Sequence, residues 1–238
     1  MATHAPDPFH STQYGMQRDK LAAYFDDTAR EAWIDLTSDA RVSGIRATVR
    51  AGREEMRGIL LSMLPTDMRR MKLLDAGCGT GALAVEAAFR GAEITAVDIA
   101  SGLVDIARER APQFLGHGKI DWQAGDFLNA DLGDFDHIVL MDSLIHYQLE
   151  DMVAALGALT ERCSASIAFT FAPHTKMLGA MHKVGKFFPR SDRSPAIVPI
   201  AEGRLRQALA QMDGWVIGRS QRVSSGFYTS HAMQLVRC

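Results

Sequence analysis

The sequence predicts an α/β protein built on a mostly parallel, seven-stranded sheet with an antiparallel edge strand, an N-terminal helical arm and a lid insertion after the fifth strand. Three observations predict it. Between residues 71 and 172, short apolar runs alternate with helical patterns, the rhythm of a parallel sheet covered on both faces. The first run ends in a glycine-rich turn. Two further β-rich runs close the chain with no helix between them and read as antiparallel neighbours.

The elements follow in order. Residues 1–15 are rich in Pro, His and Ser and are expected to be loose. "QRDKLAAYFDDTAREAWIDL" then places Leu21, Tyr24, Phe25, Thr28 and Trp33 near one side of a helix. "VSGIRATVRAGREEMRGILLSML" carries Ile45, Val49, Met56, Ile59, Leu60 and Met63 on a stripe of helical period, and Pro65 ends it. Residues 1–66 therefore form a tail and helical arm, and residues 67–238 the core. Strands are expected at 71–77, 92–99, 119–126, 135–143 and 164–172. Helices are expected at 82–90, 101–111 with Ser101 as N-cap, 149–162 and 202–212. "GWVIGRSQRV" and "FYTSHAMQLVR" supply the closing strand pair.

Between the fifth strand and the last helix, residues 173–200 repeat Met177, Met181, Val184 and Phe188 at helical spacing. Lys176, Lys183, Lys186, Arg190 and Arg193 there face a single acid, Asp192. Methionines adapt to flat apolar shapes, so this stretch suits a lid. The same pattern also fits a solvated amphipathic helix, or one lying on anionic lipid as a peripheral membrane contact.

Composition removes several classes. An apolar share of 47% suits a globular core, and a formal net charge of −2 offers no basic footprint for nucleic acid. Cys78, Cys163 and Cys238 are widely spaced with no CxxC pair, which argues against a disulfide framework or zinc site and fits a reducing cytoplasm. No run approaches the roughly 20 apolar residues of a membrane span, and no apolar signal core opens the chain. No acid cluster has metal-ligand spacing, so no protein-held metal is expected.

The strongest local signal is "LLDAGCGTGAL". A strand ends at Asp75, and Gly77, Gly79 and Gly81 follow at alternate positions before a helix. Glycines there allow positive φ and close approach of a ligand to the backbone. Dinucleotide-binding loops use G-x-G-x-x-G, a different spacing. Asp98 ends the next strand, where a carboxylate can accept from both hydroxyls of a ribose. Asp126 ends the third, within reach of an adenine amine, with Phe127 beside the ring.

This set resembles the class I S-adenosylmethionine-dependent methyltransferases, whose fold is Rossmann-like. The resemblance implies S-adenosylmethionine as donor and S-adenosylhomocysteine as product. It places the methionine end on Asp75, Gly77, Cys78 and Gly79, the ribose on Asp98 and Ile99, and the adenine on Asp126 and Phe127. Met141 and Asp142, ending the fourth strand, wall the donor from below. Nucleic-acid amine methylation would need a D/N-P-P-Y/F sequence where this chain reads "DSLIHY".

More narrowly, "YFDDTAREAW", "VSGIRATVRAGR", "DSLIHY", "FAPHTKMLGAMHKVGKFFP" and "GFYTSHAMQLVR" resemble the magnesium-protoporphyrin IX O-methyltransferases of bacteriochlorophyll biosynthesis. The resemblance implies methylation of one propionate of magnesium protoporphyrin IX, with magnesium present only as part of the substrate. It also suggests handover from the porphyrin-binding subunit of the magnesium chelatase. The alternatives are another small-molecule or quinone-precursor methyltransferase, or a donor-binding scaffold without catalysis.

A carboxyl group of pKa about 4 to 5 is already a nucleophile at neutral pH. Its attack on a sulfonium cancels both charges, so a tight cationic clamp would stabilise the starting state more than the transition state. Neutral donors are therefore expected to aim the oxygen, and His146 and Tyr24 are the candidates for catalysis. Arg46, Arg50 and Arg53 on the second helix are candidates for an acceptor jaw. His146→Ala and Tyr24→Phe are expected to cut turnover severely while donor affinity, measured by calorimetry, stays nearly unchanged; an equal loss of donor affinity in His146→Ala would remove it from the acceptor side.

Overall fold

The structure, a computed structural model, describes residues 13–28, 44–174 and 196–238. Trp33 and the insertion residues from Lys176 to Arg193 named above lie outside the described residues.

Seven strands form one sheet in the order β3-β2-β1-β4-β5-β7-β6. They are β1 (Lys72–Ala76), β2 (Glu93–Asp98), β3 (Lys119–Ala124), β4 (Phe135–Leu140), β5 (Cys163–Phe171), β6 (Trp215–Ser225) and β7 (Tyr228–Arg237). The first five pair in parallel, and β7 runs antiparallel to both β5 and β6. The reversed strand thus lies one position in from the edge. Strand order reverses between β1 and β4, and in open α/β sheets the crevice at that switch point takes the ligand. Both segments that the sequence singles out, the glycine turn after β1 and "DSLIHY" after β4, emerge there.

Burial explains the strands. Leu73, Leu74, Ile138, Val139, Leu140, Ile167 and Phe169 have no exposed surface, as expected of central strands covered on both faces. Edge strand β6 is mostly exposed, and a register shift between Ile217 and Ser220 blunts its free edge.

On one face lie α1 (Gln13–Ala23), α5 (Leu149–Thr160) and α6 (Glu202–Leu209), through Leu21, Met152, Leu156 and Leu205. On the other lie α2 (Gly44–Ser62) and α3 (Ala82–Phe89), through Met56, Leu60, Leu83 and Ala87. The remaining helix, α4 (Ser101–Arg110), covers β2 and β3. The end of α2 is tied down by side chains: Arg90 donates to the Leu61 carbonyl, Arg219 to Ser62 and Gln234 to Met63. These donors satisfy carbonyls that a helix end leaves without partners.

Four expectations change. The first helix begins at Gln13, inside the stretch expected to be loose, because Tyr14 is 1% exposed and stacks on Tyr147 at 4.8 Å. It then winds into a π-turn over Tyr24–Thr28. Ile45 is 56% exposed, because the first turns of α2 bury no residue and burial begins at Gly52. Ser101 does not cap α4; Asp26 accepts from the Gly102 N–H and Asp98 from the Ala100 N–H.

The two ends of the insertion are neighbours. Pro173 bridges Ile200, Ile200 donates to the Ala172 carbonyl, and His174 donates to the Ile200 carbonyl. The returning limb also reaches the site, where the Val198 N–H donates to Ile145.

Because α2 shares its core with the sheet, Leu60→Ala is expected to cost about 2–5 kcal/mol and to shift a single urea transition to lower denaturant. An unchanged midpoint, or two separate transitions, would show an arm that folds apart from the core.

Candidate functional site

The glycine turn is shaped by what it must pass. Gly77 has φ 82°, and a Cβ there would lie 2.4 Å from the Ser143 Cβ. Gly81 also has φ 82°, and its Cβ would lie 2.4 Å from the Trp122 ring. Both positions need glycine for conformation and for space. The Gly77 and Cys78 N–H groups donate to the Val97 carbonyl, and the Gly79 N–H donates to the Asp98 carboxylate at 2.8 Å. Asp98 therefore pins the turn to the end of β2 as well as facing the crevice. Burial raises its carboxyl above the usual range.

Asp75 is 1% exposed, and it accepts from the Ala84 N–H in the first turn of α3. Its Oδ2 has no hydrogen-bond partner among the described residues. Burial, then the nearby Asp98, push its carboxyl up to about 7. A buried carboxyl short of a donor beside a glycine cradle suits a ligand bearing a cationic or hydrogen-bond-donating group. Cys78 is half-buried, and burial with the charges of Asp98 and Asp75 holds its thiol well above the usual value, which removes it as a nucleophile.

Asp126, the expected reader of an adenine amine, is already engaged. Its Oδ1 accepts from Tyr14 Oη at 3.2 Å and the Leu128 N–H at 2.9 Å, and its Oδ2 from Arg18 Nη1 at 2.9 Å. A carboxylate offers about four lone-pair positions, so acceptor capacity remains. Phe127 is buried in the core, its carbonyl held by Arg162, and Ile99 packs half-buried against the same cluster.

After β4, Met141 packs half-buried on the α2 side. Asp142, expected to wall the donor, turns to that side as well. It has φ 56°, and its side chain is 5% exposed. Its carboxylate receives Arg53 Nη1 at 2.5 Å, Tyr228 Oη at 3.1 Å, Thr170 Oγ1 at 3.2 Å and Ser230 Oγ at 3.4 Å. Ser143 Oγ donates to the Ala76 carbonyl, closing the floor beneath Gly77.

His146 is 8% exposed, with Nδ1 3.2 Å from the Ala196 carbonyl oxygen. A carbonyl only accepts, so this contact puts the proton on Nδ1 and leaves Nε2 of the neutral ring as an acceptor. Burial lowers the imidazole below its usual value, which favours that neutral form. The neutral donor expected of His146 is thereby replaced by a neutral acceptor. Phe25 meets the His146 ring at 6.3 Å and the Tyr24 ring edge-on at 5.2 Å, so the π-turn brings both candidate catalytic residues to one phenylalanine.

Several contributors are absent from the expected set: Tyr14, Arg18, Asp26, Ser143, Thr170 and Tyr228. The i, i+4 pair Tyr14 and Arg18, and a glycine at 52 inside an amphipathic helix, are the sequence signals that point to two of these contacts.

The Asp75 carboxyl lies above its unfolded value near 3.9, so its contribution to stability is present below about pH 4 and is lost as pH rises through about 7. In the ligand-free protein, the urea midpoint is expected to fall between about pH 5 and 8 by more than in Asp75→Asn; parallel profiles would place the carboxyl in its ordinary range.

Comparison with known proteins identifies the chain. A family model described as the magnesium-protoporphyrin IX methyltransferase C-terminus matches residues 140–237, and a methyltransferase-domain model matches residues 73–164. Over 224 residues the chain is 43% identical to the magnesium-protoporphyrin O-methyltransferase of Rhodobacter capsulatus, covering 94% of this chain and 98% of that one. It is 29% identical over 220 residues to the protein of the same name from Synechocystis, covering 90% and 94%. The crystal structure of magnesium protoporphyrin IX methyltransferase from Synechocystis with bound SAH superposes with a TM-score of 0.79 at 26% identity, covering 92% of this chain and 99% of that one. The chain belongs to the magnesium-protoporphyrin O-methyltransferase family.

Proposed function

We propose that this protein transfers a methyl group from S-adenosylmethionine to a propionate carboxylate of magnesium protoporphyrin IX, giving the monomethyl ester in chlorophyll-type pigment synthesis. The end-to-end 43% identity to the Rhodobacter capsulatus relative carries this reading. S-adenosylmethionine supplies a sulfonium methyl, and the residues fit it: the Asp75 oxygen that has no partner among the described residues suits the ammonium of its methionine end, and the glycine cradle suits its close approach.

The chain's own groups then have distinct tasks. Asp98 and Asp126 at the ends of β2 and β3 hold the nucleoside, and Ser143 sets the depth of the cradle. His146 Nε2 accepts the proton of the propionic acid. The same apolar setting that lowers an imidazole raises a carboxyl, so a neutral acid–imidazole pair replaces separated ions. Tyr24 supplies a neutral donor to the second carboxyl oxygen. Arg53, a candidate for the acceptor jaw, has its charge matched by Asp142 and does not clamp the reacting oxygen. In-line placement contributes up to about 7–11 kcal/mol to such a reaction.

The proposal extends to a cytoplasmic protein that receives its pigment from the porphyrin-binding subunit of the magnesium chelatase and touches membrane through the basic insertion. Its support is the three free cysteines, the cationic sequence of that segment and the low solubility of a porphyrin in water.

Purified protein given labelled S-adenosylmethionine and magnesium protoporphyrin is expected to yield an esterified pigment; donor binding with no transfer would favour a scaffold. With His146 as acceptor, kcat, which reports groups in the bound complex, is expected to rise with pH along a limb below the usual imidazole value of about 6.5. His146→Ala should lose that limb, and its survival in the variant would assign it elsewhere.

A further inference from the structure

Asp142 has more donors than an ordinary surface acid needs. Arg53, Tyr228, Thr170 and Ser230 all donate to it, and its own N–H donates to Thr170 Oγ1 at 2.7 Å. These partners come from α2, β5 and β7, so one carboxylate joins three elements to the end of β4. The residue sits at φ 56°, a left-handed conformation that a non-glycine residue keeps where surrounding contacts enforce it.

The approach of α2 is built for this contact. A Cβ on Gly52 would lie 2.5 Å from the Tyr228 ring, so the glycine admits the ring and lets the adjacent Arg53 reach Asp142. Burial and the Asp142 charge push the Tyr228 phenol well above its usual value, keeping it a neutral donor. The strained residue begins the loop that carries Ser143, which packs under Gly77, and His146, which lies beside Phe25. A turn of the backbone at residue 142 therefore moves the floor of the donor cradle and the acceptor imidazole together.

We propose that Arg53 and Asp142 are a positioning pair for methyl transfer: Asp142 does not contact the donor, and through it α2 sets the backbone that places Ser143 and His146. This deepens the proposed function and rests on it for the turnover measurement. The pair acts on alignment, so its loss lowers kcat more than it weakens donor binding. Misplacement by about 1 Å costs on the order of a hundredfold in rate.

The test compares Arg53→Met, Asp142→Asn, Arg53→Met/Asp142→Asn, Arg53→Lys and Tyr228→Phe in the full chain. Thermal midpoint, calorimetric Kd for S-adenosylhomocysteine, and kcat and KM for magnesium protoporphyrin are measured for each. Arg53→Met leaves a buried charge unpaired and is expected to lower the thermal midpoint; the double variant, with neither charge, recovers it. The double variant is still expected to lose at least about tenfold in kcat, with Kd changed less than about threefold. Arg53→Lys, which keeps the charge, should recover part of kcat. Tyr228→Phe removes one donor without unpairing the charge, and should lower kcat while leaving Kd near wild type.

Wild-type kcat in the double variant and in Tyr228→Phe would reduce the contact to a fold-holding one and overturn the proposal. So would a Kd raised more than about tenfold in Asp142→Asn, which would return Asp142 to the donor site. Failure of the proposed function itself looks different: the unaltered protein would show no methyl transfer at all.

Discussion

A carboxylate removed from water must be met by donors, and this protein places one at the end of each of its first four parallel strands. Asp75 and Asp98 lie in the last residues of β1 and β2, and Asp126 and Asp142 two residues past β3 and β4. The chain meets these demands with different resources. Asp98 takes backbone N–H groups from the glycine turn and the start of α4. Asp126 draws in Tyr14 and Arg18 of α1, and Asp142 draws in Arg53 of α2. The helical arm is thus held to the crevice by the acids that define it. Asp75 alone among these four retains an oxygen with no protein partner among the described residues.

That economy joins fold to chemistry. The acids that receive α1 and α2 are the ones that rim the crevice, so docking of the arm and assembly of the crevice go together. Tyr14 shows it at the level of a single side chain. Its hydroxyl reaches Asp126 beyond the end of β3, while its ring stacks on Tyr147, the neighbour of His146. Phe25 does the same with rings, meeting Tyr24 and His146 while packing on the core.

Much of this is legible in the sequence. Apolar runs and glycine spacing are local, and they located β1 to β5 and the cradle. Strand-end acids are local too, and they marked the crevice. What escaped was decided by partners far away in sequence. Tyr14 sits in a stretch whose composition reads as loose, and its partner Asp126 is 112 residues distant. Ser101 has the residue type of a cap, yet the acceptor for that helix arrives from Asp26 on the arm. Asp142 has the residue type and position of a strand-end acid, and its partners Arg53 and Tyr228 arrive from α2 and β7, 89 and 86 residues away. The tautomer of His146 depends on Ala196, on the returning limb of the insertion.

The pairing of Pro173 with Ile200 bears on how such proteins diversify. It holds the two ends of the insertion together against the sheet, and the entropy of closing a chain between fixed ends rises slowly with its length, by about 0.6 kcal/mol per doubling. Residues can be gained or lost there without disturbing a strand. Descendants of one scaffold can therefore lengthen or shorten that stretch to suit bulkier or slimmer molecules while inheriting the glycine turn unchanged.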